Sequence, residues 1–134
     1  MLSPPALGSA SATWHRSIAN MPDLTVTAAK ESGERSYTQA GVTAKDIDVA
    51  ILYDAFTINT ILFLEDLGFC AKGEGGAFVD KGGIAPGGRL AVNTNGGGLS
   101  CVHPGMYGLF TMVEAVEQVR GMAGARQVPG AQLA

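Results

Sequence analysis

Cysteine is scarce in this chain: two residues in 134, Cys70 and Cys101, well separated in sequence. That excludes a disulfide framework, and no paired Cys/His spacing suggests a zinc site. Charge is also thin, at 16% of residues with a net of −3 and no basic cluster, so nucleic acid is not an expected partner. No apolar run approaches the length of a membrane-spanning helix, and the N-terminus lacks a charged-then-apolar signal pattern. The expectation is a cytoplasmic protein with free thiols, no metal and no membrane partner. What the chain does have is glycine: 19 residues, ten of them between Gly73 and Gly98. With 46% hydrophobic residues over 134 positions, the chain fits a single folded domain with its own core. The glycine cluster then reads as a long connection inside that fold.

Residues 1–23 are expected to form an irregular lead-in. Pro4 and Pro5 discourage regular structure, and Trp14 and His15 read as surface or packing residues. A helix is expected from about Leu24 to Ala40, capped by Asp23 or Thr25 and stopped by Gly41. Its small face, Ala28, Ala29, Ser32 and Gly33, suggests close packing. Thr43 to Asp46 resembles a weak capping box. Ile47 to Tyr53 reads as a buried strand, and Thr57 can cap a helix that Gly68 ends. Glu65 and Asp66 read as a solvated face. After a glycine-rich connection from Lys72 to Arg89, a strand is expected around Leu90 to Asn93. A further helix begins near Met106, with Leu109, Met112, Val113, Val116 and Val119 as its apolar stripe and Glu114, Glu117, Gln118 and Arg120 outside it. The residues at 131–134 look like the beginning of another strand. The order helix, strand, helix, strand, helix implies an α/β fold, a layered mixed sheet with packed helices and functional loops at the strand carboxyl ends.

The stretch Ala91 to Phe110 carries the chemistry. A strand runs into Asn93-Thr-Asn-Gly-Gly-Gly98, then into His103-Pro104, then into a helix. The glycines permit positive φ and close approach of a ligand, but the loop has neither a P-loop ending nor a dinucleotide fingerprint. It serves equally as a tight turn. His103 is placed either to exchange a proton with a substrate or to act as a structural loop residue. Tyr53 and Asp54, at the exit of the other strand, can meet a substrate, or can be a rim aromatic and a helix-proximal charge. Cys101 lies two residues from His103 and reads as a buried, inert thiol, as does Cys70.

Taken in order, Ala40-Gly-Val-Thr-Ala-Lys-Asp-Ile-Asp48, Tyr53-Asp-Ala-Phe56, Glu65-Asp-Leu-Gly-Phe69, Gly73-Glu-Gly-Gly76, Asn93-Thr-Asn-Gly-Gly-Gly-Leu-Ser100 and His103-Pro104 resemble the C-terminal half of a thiolase-like protein. The narrower resemblance is to the branch labelled acetyl-CoA acetyltransferase or lipid-transfer protein, related to sterol-carrier-type thiolases. It implies a partial thiolase-type half domain over 24–134 that lacks its last strands, a natural fragment or a shortened form, and a likeness running from about Leu24 to Gly121. It also implies an acyltransferase of lipid metabolism that acts on a CoA thioester as substrate, with no bound cofactor. His103 would be the acid/base and Tyr53 would sit at the carbonyl. Asn95, Gly96, Gly97, Gly98 and Tyr107 would meet the substrate. The family's strand-end asparagine is replaced by Tyr53, the glycine before the histidine by Val102, and Gly105-Met-Tyr-Gly108 is one residue shorter than the usual Leu-Gly-Ala-Thr-Gly. These are departures from a standard Claisen thiolysis site. The nucleophilic cysteine belongs to the N-terminal half, so the chain alone is expected to lack turnover.

Three functions follow from the resemblance. The first is half of an acyl-CoA carbon–carbon bond site, either a thiolase or, as in tyrosine-bearing relatives, a retro-aldolase on steroid side-chain thioesters with an OB-fold partner. The second is a non-catalytic acyl-CoA or lipid carrier. The third is a structural half that packs on the missing N-terminal half and forms a homodimer.

Overall fold

The computed structural model describes residues 23–102 and 105–134; the lead-in with Trp14 and His15, and His103 with Pro104, lie outside the described residues. The elements run α1 (Ala29–Ala40), β1 (Val49–Ala50), α2 (Thr57–Asp66), α3 (Gly75–Val79), β2 (Ala91–Val92), α4 (Gly97–Ser100) and α5 (Tyr107–Val119), with short 3-10 turns at Ala44–Asp46, Asp80–Gly82 and Gly124–Arg126. β1 and β2 pair in parallel, Val49 opposite Ala91 and Ala50 opposite Val92. Their carboxyl ends therefore point the same way, which brings residues 53–54 and 93–98 to one end of the sheet. The expected α/β class holds, but the strands are shorter than the apolar runs that announced them.

Ala50, Leu52, Leu64 and Leu90 form the buried core, joined by half-buried residues such as Phe63, Leu67 and Phe78. Cys70 lies on the shoulder of this core, where burial pushes its thiol pKa up, with the Glu65 and Glu74 charges adding to the effect. α1 lies against α2 as its small face implied: a Cβ on Gly33 would come within 2.5 Å of Leu67 Cδ2. Gly41 ends α1 at φ 71, the left-handed value that a side chain adopts only at a cost. The Thr43–Asp46 capping box forms. α1 itself begins later than expected, at Ala29, with the Thr27 hydroxyl accepting the Ala29 N–H at 3.2 Å. Thr57 is the first residue of α2 rather than its cap; Phe56 occupies that position and makes no side-chain cap bond. At the tail, the Leu133 carbonyl accepts N–H groups of Asp48 and Val49, and Asp48 Oδ2 accepts those of Gln132 and Leu133. Those four bonds tie the tail to the start of β1.

Two expectations about polar faces are corrected. Asp66 is buried, not solvated. Its carboxylate accepts the Thr27 N–H and the Lys72 ammonium, each at 2.6 Å, and Lys72 also donates to the Thr25 carbonyl. Glu65 accepts the Gly75 N–H at 2.9 Å. The pair staples residues 25–27 and 72–75 to the end of α2, because a buried carboxylate is tolerated only where donors surround it.

α5 is turned over relative to its apolar pattern. Glu114 and Gln118 are 3% and 0% exposed, whereas Met112 and Val113 are 57% and 55% exposed, and Leu109, Val116 and Val119 share their side. The inward face is polar because it has polar work. Gln118 Nε2 donates to Thr94 Oγ1 at 3.0 Å and to the Arg126 carbonyl at 2.8 Å, and its Oε1 accepts the Val128 N–H at 2.8 Å. Glu114 accepts the Thr94 hydroxyl at 2.6 Å and an Arg126 N–H at 2.9 Å. Buried polar groups persist when every one is partnered, and here they fasten α5 to the β2 exit and to residues 126–128.

Two outcomes are expected. Gln118→Leu, although apolar and of similar size, destabilises the chain by about 3 kcal/mol, because it strands several donors and acceptors at once. Val116→Gln on the outer face changes stability by about 0.5 kcal/mol or less; urea unfolding of the two variants tests the inversion. For Glu114, burial pushes the pKa up, but the bonds from Arg126, Thr94 and Gln118 and the Arg126 charge outweigh it, so the net value falls below the ordinary 4.5. The unfolded chain then takes up the proton first. The carboxylate contributes its stability above pH 4.5 and loses it as pH falls further. Unfolding midpoints measured across that acid range should drop less steeply in Glu114→Gln than in the wild type.

Candidate functional site

Each strand delivers part of the site. After β1 the chain passes Leu52 into Tyr53 and Asp54; after β2 it passes into Asn93, Thr94 and Asn95. Asn93 joins the two. Its backbone N–H donates to the Ala50 carbonyl at 2.9 Å, and its side-chain Oδ1 accepts the Leu52 N–H at 2.7 Å, extending the parallel ladder by one side-chain bond. To do so it takes a left-handed backbone, φ 49, a conformation that asparagine adopts more readily than most residues.

Asp54 is 4% exposed and lies under the glycine loop. Its Oδ1 accepts the Gly98 N–H at 2.5 Å and its Oδ2 the Leu99 N–H at 3.4 Å. Asn95 Oδ1 accepts the Gly97 N–H at 3.0 Å. The first donors of α4 thus already have acceptors within the protein. Gly97 stands at φ 71, and a Cβ there would overlap Asp54 Oδ2; at Gly98 it would lie 3.0 Å from Asp54 Oδ1 and 3.5 Å from the Tyr107 ring. Gly97 and Gly98 are buried and make room for an internal carboxylate, while Gly96, at φ 94, is exposed. The sequence presents Asp54 as a residue that meets a substrate or as a helix-proximal charge, not as an internal acceptor for the glycine loop. The available signal was an acidic residue at a strand exit in a fold whose next strand ends in three glycines.

Tyr53 is exposed, and its ring meets that of Tyr107 edge-on, centroids 5.4 Å apart at 74°. Tyr107 is 1% exposed and stacks on Phe110 at 6.5 Å. Its hydroxyl is the one buried side-chain polar atom among the described residues that has no hydrogen-bond partner. Burial, and then the Asp54 charge, push the phenol pKa up to about 12. The Asn95 amide is near enough to act against that rise, but not at a geometry that satisfies the hydroxyl.

Of the residues expected at the site, Tyr53, Asn95, Gly96, Gly97, Gly98 and Tyr107 therefore gather at one end of the sheet. His103 lies outside the described residues. Val102 and Met106 on either side of residues 103–104 are both left-handed and exposed, at φ 54 and 61. Cys101 is exposed, which corrects its reading as a buried thiol. Cavities of about 510 Å³ beside Lys81 and Arg89 and about 500 Å³ beside Tyr37 and Leu67 are lined by other residues. Among the described residues, no group of three or more His, Cys, Asp or Glu side chains could hold a metal ion. Gly97→Ala is expected to destabilise the chain by about 3 kcal/mol through the added Cβ and the left-handed backbone, and to release the Gly98 amide from protection. Amide exchange at Gly98 is the readout; unchanged protection would contradict the tie to Asp54.

Known proteins resemble this chain in sequence and fold. A family model described as thiolase C-terminal domain-like matches residues 10–134. Sterol carrier protein 2 of Oryctolagus cuniculus is 46% identical over 106 residues, covering 78% of this chain and 19% of that protein. Acetyl-CoA acetyltransferase of Methanothermobacter thermautotrophicus is 43% identical over 112 residues, 83% of this chain and 28% of that protein. The solved Ltp2-ChsH2(DUF35) aldolase superposes with a TM-score of 0.79 at 35% identity, over 94% of this chain and 32% of that one. The chain therefore spans 19–32% of the length of these relatives. With the motif order, the parallel strand pair and a family match over nearly its whole length in agreement, the chain belongs to the thiolase C-terminal domain-like family.

Proposed function

We propose that this chain is one part of a thiolase-like enzyme that makes or breaks a carbon–carbon bond in an acyl-CoA thioester. The observation that carries the reading is the gathering of Tyr53, Asn95, Gly96 and Tyr107 at the shared carboxyl end of β1 and β2, where α/β folds bind ligands. In this reading Tyr53 donates a hydrogen bond to the substrate carbonyl and stabilises the charge that develops on its oxygen. His103 exchanges the proton as acid/base. The CoA thioester is the substrate, no resident cofactor is required, and the nucleophilic cysteine of a thiolase reaction comes from the N-terminal half.

A retro-aldol variant is favoured by one particular residue, the tyrosine at position 53, and by the likeness to the Ltp2-ChsH2(DUF35) aldolase. In that reaction a base removes the proton from the β-hydroxyl of a β-hydroxyacyl-CoA. The Cα–Cβ bond breaks, the β carbon leaves as a ketone or aldehyde, and the electron pair stays on the thioester enolate until a proton is returned. An OB-fold partner would accompany this chemistry.

The outer face of α5 supports a missing half as partner. Met112, Val113 and Val116 are exposed on a helix whose polar face is already used, a pattern that marks an interface. The N-terminal thiolase half covers it, and a homodimer forms from the completed protein.

The test is turnover by this chain assembled with an N-terminal thiolase half. CoA-dependent thiolysis identifies the acyltransferase, and release of a ketone or aldehyde without added CoA identifies the retro-aldolase. His103→Ala should lower kcat by about 100-fold or more, and Tyr53→Phe by a smaller factor. Val116→Glu should prevent assembly while leaving the chain folded. Acyl-CoA binding without product would point instead to a carrier.

A further inference from the structure

Tyr107 presents a question that packing does not answer. Phenylalanine would fill the same space under Gly98 and keep both ring contacts, to Tyr53 at 5.4 Å and to Phe110 at 6.5 Å. The oxygen adds only a buried donor with no partner. Such a group costs folding free energy, and folded proteins keep few of them. Its setting is polar and close to the surface: Asn95 is half-buried, Cys101 is exposed, and Tyr53 is exposed against the Tyr107 ring. A phenol is protonated at neutral pH, and burial and the Asp54 charge move its pKa further from that range, so a proton is there to donate.

We propose that the Tyr107 hydroxyl is a reserved hydrogen-bond donor for the carbonyl oxygen of a thioester or ketone that enters beside Tyr53. This rests on the reading of the site as a carbonyl-handling one and deepens it by naming a second donor. The two phenols divide the task. Tyr53 meets the ligand at the surface, and Tyr107 offers a donor withdrawn from water, where a hydrogen bond is electrostatically stronger. The Asn95 side chain, whose Oδ1 holds the Gly97 N–H at 3.0 Å, lies beside that hydroxyl. The unmet donor is then a stability cost carried by the free protein and relieved on binding.

The experiment compares the wild-type chain with Tyr107→Phe in two measurements: thermal unfolding without ligand, and NMR titration with S-ethyl thioacetate, a thioester without the CoA moiety. The variant should unfold within about 2 °C of the wild type or above it, and should bind the thioester about 3- to 10-fold more weakly. Equal affinity overturns the inference, as does absence of thioester binding by the wild type. A fall of many degrees in the unfolding midpoint also overturns it, since the hydroxyl would then be satisfied inside the fold. The same variant in the protein assembled with an N-terminal half separates this inference from the enzyme reading. Acyl-CoA turnover with thioester affinity indifferent to Tyr107 leaves the enzyme and removes the donor. Thioester affinity that depends on Tyr107, with no acyl-CoA turnover or binding, leaves the donor and removes the enzyme.

Discussion

The site is organised around one buried carboxylate. Asp54 leaves β1 and turns under the glycine loop, where it accepts backbone N–H groups from Gly98 and Leu99. A charge at 4% exposure is tolerable only because these donors converge on it, and they can converge only because Gly97 and Gly98 have no side chains in the way. The tie fixes the distance between the exits of two strands that are each only two residues long. Gly98 lies beside the Tyr107 ring, which in turn meets the Tyr53 ring edge-on. Without Asp54 the two loops would still leave the same end of the sheet, joined by the Asn93 bonds, but the glycine loop would lose its tie to the β1 exit.

α5 brings that region together with the rest of the chain. Tyr107, Glu114 and Gln118 all face inward, and they reach respectively Gly98, the Thr94 hydroxyl, and both Thr94 and the backbone of residues 126–128. Helices of small domains ordinarily bury an apolar stripe and leave their polar side to water. Here a polar network takes the inside and the valines and methionines take the outside, so a helix with an ordinary amphipathic sequence is used on both faces. One face shapes the loop that carries the candidate chemistry. The other leaves Met112, Val113 and Val116 exposed as an apolar surface.

Local signals read well where the cause is local. Gly41 ends α1 and Gly121 follows α5 in left-handed conformations, and Thr43 with Asp46 forms its capping box, since each depends on residues within one turn. The strand runs were legible as apolar stretches, and the candidate residues were legible as residues at strand exits. The errors have a common origin. Polarity along the chain points Asp66, Glu114 and Gln118 to solvent and Cys101 to the interior, and the fold reverses all four. The partners that reverse this for the three polar residues lie far off in sequence, as with Thr27 for Asp66, at a separation of 39 residues, or Thr94 for Gln118, at 24.

The sequence by itself determined the α/β class, the helix stops, the family, and the set of residues that gather at the strand ends, because periodicity, glycine conformation and motif order are written along the chain. Only the tertiary structure decided which side of α5 is inside, that the glycines make room for Asp54, and that the Tyr107 hydroxyl is buried without a partner. Those outcomes depend on which donors and acceptors meet across tens of residues, and one-dimensional polarity carries no record of that meeting.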